Sequence, residues 1–194
     1  MSGAERLRFC GKIFGTQKDY WIASGELLPA EEFSTDKTIE KRGEGVNKLV
    51  YWVTDNPLND WIQLPDAKPE HIVAARKIKH IFTGDLNATF QSNPSFPGKE
   101  RHLLRAQLAR IFAATAIVPK GLFEIDEETS QMKFAEEFQM PSFNELQSLE
   151  TWVNVHPSIL KVGRCTHTEP PEHLDEEEKQ AYLDKLAEED KAEE

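Results

Sequence analysis

The chain has 194 residues, of which 39% are hydrophobic, and its formal net charge at pH 7 is −11. Residues 169–194 carry twelve acidic and three basic residues, a net charge of −9, whereas residues 1–168 carry 22 acidic and 20 basic residues, a net charge of −2. This distribution argues against a nucleic-acid-binding protein, which needs a net basic face. No apolar run approaches the roughly 18 residues of a membrane-spanning helix.

These properties predict one globular domain, residues 1–168, followed by an acidic tail, residues 169–194, that is either helical or disordered. A body of about 165 residues can bury a hydrophobic core without disulfides or metals. The N-terminal sequence lacks the apolar segment of a secretion signal, which predicts a protein of the cytoplasm. Cys10 and Cys165, the only cysteines, are then expected to remain thiols.

The N-terminal part of the chain has the pattern of an antiparallel sheet. Leu7, Phe9 and Ile13 alternate with polar residues, which predicts a strand with one buried face. Residues 20–23 predict its hairpin partner, and short turns join this hairpin to two further strands at residues 49–54 and 61–64. The strands are rich in aromatic side chains, which favour packing in the core over a ligand-binding cage. These side chains are Trp21, Tyr51, Trp52 and Trp61.

A polar segment, residues 29–48, interrupts the sheet and is predicted to be a mobile loop. Two amphipathic helices follow the sheet: one from Pro69, whose missing N–H costs no hydrogen bond there, to Gly84, and one after Gly98. Apolar residues at three- and four-residue spacing predict helix faces that meet in a single core. These residues are Ile72, Ala75, Ile78 and Phe82 on the first helix and Leu104, Leu108, Ile111 and Phe112 on the second.

The loop between the helices, Asn93–Gly98, contains two prolines that stiffen it around Phe96. The aromatic ring is either presented as a contact surface or packed into the core between the helices. Basic residues of the two helices, Arg76, Lys77, Lys79, Arg101, Arg105 and Arg110, form either a dock for an acidic partner or ordinary polar helix faces. The candidate partner contacts are Phe96, Pro97, Gly98, Arg101 and Arg105.

The rest of the chain predicts short strands and one short helix, and it shows no catalytic constellation. The strands are predicted at residues 116–118, 122–125 and 132–134, and Ser142 is predicted to cap the helix. No Cys or His spacing matches a zinc site, and no serine or cysteine has a familiar catalytic setting. We therefore predict no catalytic residue, no cofactor and no metal, and we expect the helical histidines to be solvated. These histidines are His71, His80 and His102.

Several segments carry distinctive sequences: RFCGKIFGTQKDYWIASG at residues 8–25, GVNKLVYWV at 45–53, W-LP at 61–65, FTGDL at 82–86, NPSFPG followed by LLRAQLARI at 93–111, and GRCT at 163–166. In this order they resemble the radial spoke head proteins of the 4/6 type. Members of that family are usually much longer than this chain.

The resemblance implies a structural, non-enzymatic subunit of the radial spoke head, in the cytoskeleton of the ciliary or flagellar axoneme. The partners it implies are a second 4/6-type subunit and the related spoke head protein 9, together with the central apparatus, through which the head regulates dynein-driven motility. The residues themselves leave two alternatives, an unrecognised enzyme and a nucleic-acid-binding module. The predicted fold class is α+β, with an antiparallel sheet, two central helices and an acidic tail.

Overall fold

A computed structural model describes residues 4–27, 39–125, 132–167, 170 and 173–191, and it confirms the α+β class. The elements in chain order are β1 (Ala4–Ile13), β2 (Tyr20–Leu27), β3 (Val50–Thr54), β4 (Ile62–Gln63), α1 (Pro69–Lys77), α2 (Glu100–Thr115), β5 (Ile117–Pro119), β6 (Phe123–Ile125), β7 (Met132–Phe134), β8 (Trp152–Asn154) and α3 (Glu176–Lys191). No helix in this described part of the chain has the length and apolar character to cross a membrane.

The chain divides into two compact units. The first unit comprises Met1–Arg110 and Ile159–Glu194, and the second unit comprises Ile111–Ser158, so the division falls within α2. The predicted boundary between a body and a tail, at residues 168 and 169, lies outside the described residues. It remains a prediction, and α3 belongs to the first unit.

The first unit contains the predicted antiparallel meander, with strand order β1-β2-β3-β4. Tyr20, Ile22, Tyr51 and Val53 on one face of this sheet form a hydrophobic cluster, which we call the sheet cluster. Other elements supply the remaining buried members, and these are Leu64, Leu104 and Leu108. Fully burying a side chain of this size stabilises the fold by about 1.5–3 kcal/mol, so this cluster is a principal source of stability.

The predicted buried face on β1 holds in part for Ile13, which is half-buried against the sheet cluster, but is wrong for Leu7 and Phe9. Leu7 is about half exposed and Phe9 is 61% exposed. The reason is that β1 is an edge strand, and its register with β2 shifts between Glu5 and Arg8 and again between Phe9 and Gly11. Each shift breaks the strict alternation on which the prediction depended.

The two central helices pack against each other, but not through the two faces that the sequence predicted. Ile72 and Ala75 of α1 pack in a second cluster, the helix cluster, while Leu104 and Leu108 of α2 belong to the sheet cluster. Helix α2 contributes to both clusters because it is buried on two sides. Ile111 is 50% exposed, so its predicted burial was wrong. The other buried members of the helix cluster are Val46, Ala67, Leu103, Ala106 and Ala109.

Helix α1 ends at Lys77, whereas the apolar helix face predicted from the sequence extends five residues further, to Phe82. Ile78 is buried but extended, and the following residues pair with the hairpin turn between β1 and β2. The N–H of Thr16 donates to the carbonyl of Phe82 at 2.9 Å. Gly84 has φ +96°, and a Cβ there would collide with the carbonyl oxygen of Lys18. Gly84 therefore allows this close approach and does not end the helix, as had been predicted.

The second unit consists of short elements. Strands β5 and β8 pair antiparallel, and β6 and β7 form another antiparallel pair, so the predicted short strands are present. Half of the predicted capping box is present, since the N–H of Ser142 donates to the carboxylate of Glu145 at 2.8 Å. The Ser142 hydroxyl donates to the same carboxylate at 2.7 Å, and the segment that follows is a 3₁₀ turn, Glu145–Gln147, with Asn144 at its N-cap, in place of the predicted helix.

Two further predictions concern polar segments. Of the predicted loop, residues 29–38 lie outside the described residues, while Gly45–Asn47 forms a 3₁₀ turn. In the tail, α3 forms a helix whose first turn is capped by Asp175, which accepts from the N–H of Glu178 at 2.8 Å. Of the two alternatives left open for the tail, the helical one holds for Glu176–Lys191.

Candidate partner-contact site

The Asn93–Gly98 loop lies over the helix cluster and is attached by its aromatic ring. Phe96 is half-buried, and its ring centroid lies 5.6 Å from that of Phe90 and 5.5 Å from that of His71. The Nε2–H of His71 donates to the carbonyl of Pro97 at 3.0 Å. One side of the Phe96 ring thus packs on the fold, while Pro97 and Gly98 are exposed. The core interpretation therefore holds for one side of the ring, and the contact interpretation stays a prediction.

Histidine side chains pack against this loop, and the prediction that the helical histidines are solvated was wrong. His71 is buried, and its ring centroid lies 4.9 Å from that of His102. His102 Nδ1 accepts from the backbone N–H of Lys99 at 3.0 Å. Burial lowers the pKa of both imidazoles below the ordinary value, and for His102 the neighbouring His71 adds to the decrease. Both rings are therefore neutral at pH 7. His80 stacks on Phe90 at 4.0 Å.

A buried carboxylate fixes the segment that leads into the loop. Glu100, the first residue of α2, is fully buried and accepts from the Tyr20 hydroxyl at 2.7 Å. It also accepts from the N–H groups of Thr83 and Gly84 at 2.9–3.0 Å. Burial alone would raise the pKa of Glu100, but these hydrogen bonds favour the charged form and the net shift is downward. Burial and the adjacent Glu100 raise the pKa of Tyr20.

A second buried carboxylate joins distant parts of the chain. Glu40 accepts from the N–H of Val46 at 2.8 Å and from the N–H groups of Cys165 and Thr166 at 3.0 Å. Gly45 has φ +47°, and a Cβ there would overlap the Glu40 carboxylate. Sequence analysis missed both Glu40 and Glu100. The position of Glu100 at the start of a helix, where a negative charge is favoured, was the one local signal that it matters for the fold. The groups that the two carboxylates bind are mostly remote in sequence, so local patterns do not indicate these contacts.

Arg105 is not available to a partner. It is almost fully buried, and its guanidinium donates to the carbonyls of Val46 and Leu49 at 3.0 and 3.2 Å and to Asn47 Oδ1 at 2.9 Å. It lies 5.0 Å from the centre of the Tyr51 ring. Burial lowers the pKa of Arg105 to about 10, so it stays charged at neutral pH. The expectation of exposure was wrong because α2 is buried on both sides.

The other arginines of the expected basic strip also bind backbone carbonyls. Arg76 donates to the carbonyls of Ile159, Leu160 and Lys161 at 2.9–3.0 Å. Arg101 is half-buried; its Nε donates to the carbonyl of Leu86 at 3.3 Å, and it also binds the side chain of Asn87. Arg110 donates to the carbonyl of Ala75 at 3.3 Å. These side chains hold the chain together and do not form a continuous basic surface.

A polar cleft of about 420 Å³ lies beside the hairpin turn and the segment that follows Gly84. Lys18 on its wall pairs with Asp55 at 2.8 Å, and hydrogen bonding to that carboxylate raises the pKa of Lys18. No group of three or more His, Cys, Asp or Glu side chains in the described ranges could hold a metal. Cys10 and Cys165 are both thiols, as predicted.

The radial spokehead-like protein family profile matches residues 28–194. The chain belongs to this family. Flagellar radial spoke protein 4 of Chlamydomonas reinhardtii is 34% identical over 194 aligned residues, which cover 89% of this chain and 42% of that protein. Radial spoke head protein 4 homolog A of Homo sapiens is 33% identical over 83% of this chain and 29% of that protein.

Radial spoke head protein 6 homolog A of Xenopus tropicalis is 41% identical over 137 residues, 65% of this chain and 26% of that protein. This radial spokehead-like chain spans less than half the length of these curated relatives. The family resemblance drawn from the sequence motifs is confirmed. Radial spoke proteins are structural components of the axoneme of cilia and flagella, and the predicted location is confirmed at that level.

Proposed function

We propose that this radial spokehead-like chain is a non-enzymatic subunit of the radial spoke head, which acts by assembling with other spoke head proteins. The observation that carries the proposal is that two buried glutamates bind the FTGDL and GRCT motifs within the fold. Glu100 and Thr83 are occupied in hydrogen bonds within the fold. Glu40 is likewise occupied with the GRCT segment at 163–166. A carboxylate whose oxygens already accept several hydrogen bonds is unsuited to general acid–base chemistry but rigidifies a scaffold.

The proposed partners are a second 4/6-type subunit and spoke head protein 9, and the assembled head contacts the central apparatus to regulate dynein-driven motility. The proposed contact surface is the outer side of Phe96 with Pro97, Gly98 and Arg101; buried Arg105 is removed from the set. Pro97 and Gly98 are exposed, and His71 already holds the loop, so little conformational entropy is lost on binding. A stable contact of this kind buries at least about 1,000 Å².

The outer edge of β1 supplies a second part of this proposed interface. Leu7 and Phe9 of β1 are exposed, and among the described strands β1 pairs only with β2. An unpaired strand edge offers N–H and C=O groups to another chain. The nucleic-acid alternative is weakened, since arginines of the expected basic strip bind backbone carbonyls within the fold.

The test is co-expression with a 4/6-type subunit and spoke head protein 9, followed by size-exclusion chromatography. We expect Phe96→Ala to reduce the co-eluting fraction about tenfold or more, as for a central interface aromatic. Leu58→Ala is the control, because Leu58 is 93% exposed and lies outside both the loop and β1. Pro97→Asp alters the exposed side of the loop and leaves the packing of the Phe96 ring in place.

Circular dichroism melting of each variant separates the outcomes. If Phe96→Ala unfolds while Pro97→Asp folds and binds normally, then Phe96 is a core residue and the loop is not the contact. If both variants fold and co-elute like the parent chain, the interface lies elsewhere. If the parent chain itself does not co-elute with either subunit, the proposed function is wrong.

A further inference from the structure

The second unit lacks a hydrophobic core of its own. None of residues 111–124 and 133–158 is buried, whereas the buried residues in the described part of the chain all belong to the first unit. Its regular structure consists of two separate two-stranded sheets, short 3₁₀ turns and the end of α2. A pair of strands is marginally stable without a third strand or a packed face. Without a hydrophobic core, the unit buries too little apolar surface to offset the chain entropy that is lost on folding.

The same unit exposes much of the apolar surface of the chain. Of the fifteen large hydrophobic side chains that are exposed in the described residues, eight lie in this quarter of the sequence. Phe143 is 79% exposed and Leu149 is 89% exposed. Such a concentration marks an interaction surface. The other six are Ile111, Ile117, Phe134, Met140, Trp152 and Val153.

The charge of the second unit indicates what covers it. Residues 111–158 contain eight acidic residues and two lysines, a net charge of −6. Glu136 and Glu137 follow exposed Phe134, and Glu150 follows Leu149. Within the described ranges these three glutamates are exposed and form no ion pair. The apolar side chains are thus bordered by carboxylates that favour a basic neighbour.

We infer that the second unit, through residues 111–125 and 132–158, is a docking arm, whose core is completed by another protein that presents an apolar surface with lysine and arginine at its margins. The inference rests on the proposed function, because it assumes that the chain acts by assembling with other proteins. A second copy of this chain is a poor occupant, because two arms of charge −6 repel each other. The docking arm is also separate in sequence from the Asn93–Gly98 loop.

The docking arm is tested in the co-expressed assembly with the 4/6-type subunit and spoke head protein 9. Hydrogen exchange is followed by mass spectrometry on the full chain, alone and assembled. We expect amides of residues 111–125 and 132–158 to exchange at least about tenfold more slowly in the assembly. Zero-length carbodiimide coupling is expected to join Glu136, Glu137 or Glu150 to lysines of another polypeptide.

Two matched pairs of variants sharpen the test. Phe143→Ser with Leu149→Ser should weaken co-elution about tenfold or more, while Leu58→Ser, at a residue 93% exposed in the first unit, should not. The triple change Glu136→Gln, Glu137→Gln, Glu150→Gln should weaken co-elution at low salt. The same charge is removed by Glu177→Gln, Glu178→Gln, Glu188→Gln in α3, and this control should retain binding.

The outcomes distinguish this inference from the proposed function. If the chain assembles but the docking arm exchanges as fast as in the free chain, the inference is wrong and the proposed function stands. If carbodiimide coupling joins two copies of this chain, detected by mixing ¹⁴N- and ¹⁵N-labelled protein, the occupant is a second copy and the inference is again wrong. If the chain assembles with neither subunit, the proposed function is wrong and the inference is overturned with it.

Discussion

The two units of this chain differ in how they are stabilised. The first unit has two hydrophobic clusters, and buried carboxylates tie together segments that lie far apart in sequence. The second unit has short strand pairs and local hydrogen bonds, such as that from the Trp152 indole N–H to the carbonyl of Leu146 at 3.0 Å. None of its residues 111–124 and 133–158 is buried.

The difference lies in where apolar and polar side chains are used: the first unit buries them within the fold, whereas the second unit leaves many apolar side chains exposed. The first unit uses its polar motif residues to hold its backbone, so they are unavailable to partners. The second unit leaves its apolar side chains exposed, and these are available for binding. Substitutions that compare buried with exposed sites test this contrast directly.

The largest effect is expected at Glu100. In Glu100→Ala the Tyr20 hydroxyl and the N–H groups of Thr83 and Gly84 lose their acceptor, and each buried unpaired group is costly. We expect the free energy of unfolding to fall by about 3–5 kcal/mol in urea denaturation. Glu70→Ala, at an exposed position of α1, should cost below about 1 kcal/mol. A loss at Glu100 no larger than at Glu70 would contradict the anchoring role.

The next prediction compares the loss of stability at two residues of α2 that lie on either side of the boundary between the units. Leu108→Ala should cost about 2–5 kcal/mol, because Leu108 is buried in the sheet cluster. Ile111→Ala should cost below about 0.5 kcal/mol, because Ile111 is 50% exposed. Chemical denaturation of both variants measures the contrast. Equal losses would mean that the hydrophobic core extends past Arg110.

The smallest effect is a pH dependence that belongs to the first unit. Burial lowers the pKa of His71 and His102 in the folded state, so below the ordinary value of about 6.5 the unfolded chain binds more protons than the folded chain. The two imidazoles therefore favour the folded state above that pH, and stability is lost as the pH falls.

Thermal melting at about pH 7.5 and about pH 5.5, a window above the titration of ordinary carboxylates, measures this loss. We expect a lower midpoint at the acidic pH, and a smaller decrease for His71→Leu. His173→Gln, at an exposed histidine, should behave like the parent chain. A midpoint that rises on acidification would show that these imidazoles gain protons on folding.

Local features of the chain could be predicted from the sequence alone. The four-strand meander, the start of α1 at Pro69, the hydrogen bonds between Ser142 and Glu145 and the acidic tail all depend on patterns within a few residues. Hydrophobic periodicity, turn residues and capping residues act over that same range, so the sequence determines them directly.

Other features depend on contacts between residues far apart in the chain, so only the tertiary structure decided them. Helix α1 ends at Lys77 because the next segment pairs with the hairpin turn, and Phe9 is exposed because β1 is an edge strand. Arg105 is buried because α2 is enclosed on two sides and distant carbonyl groups replace its water. Periodicity can identify an apolar helix face, but it cannot show what packs against the opposite face.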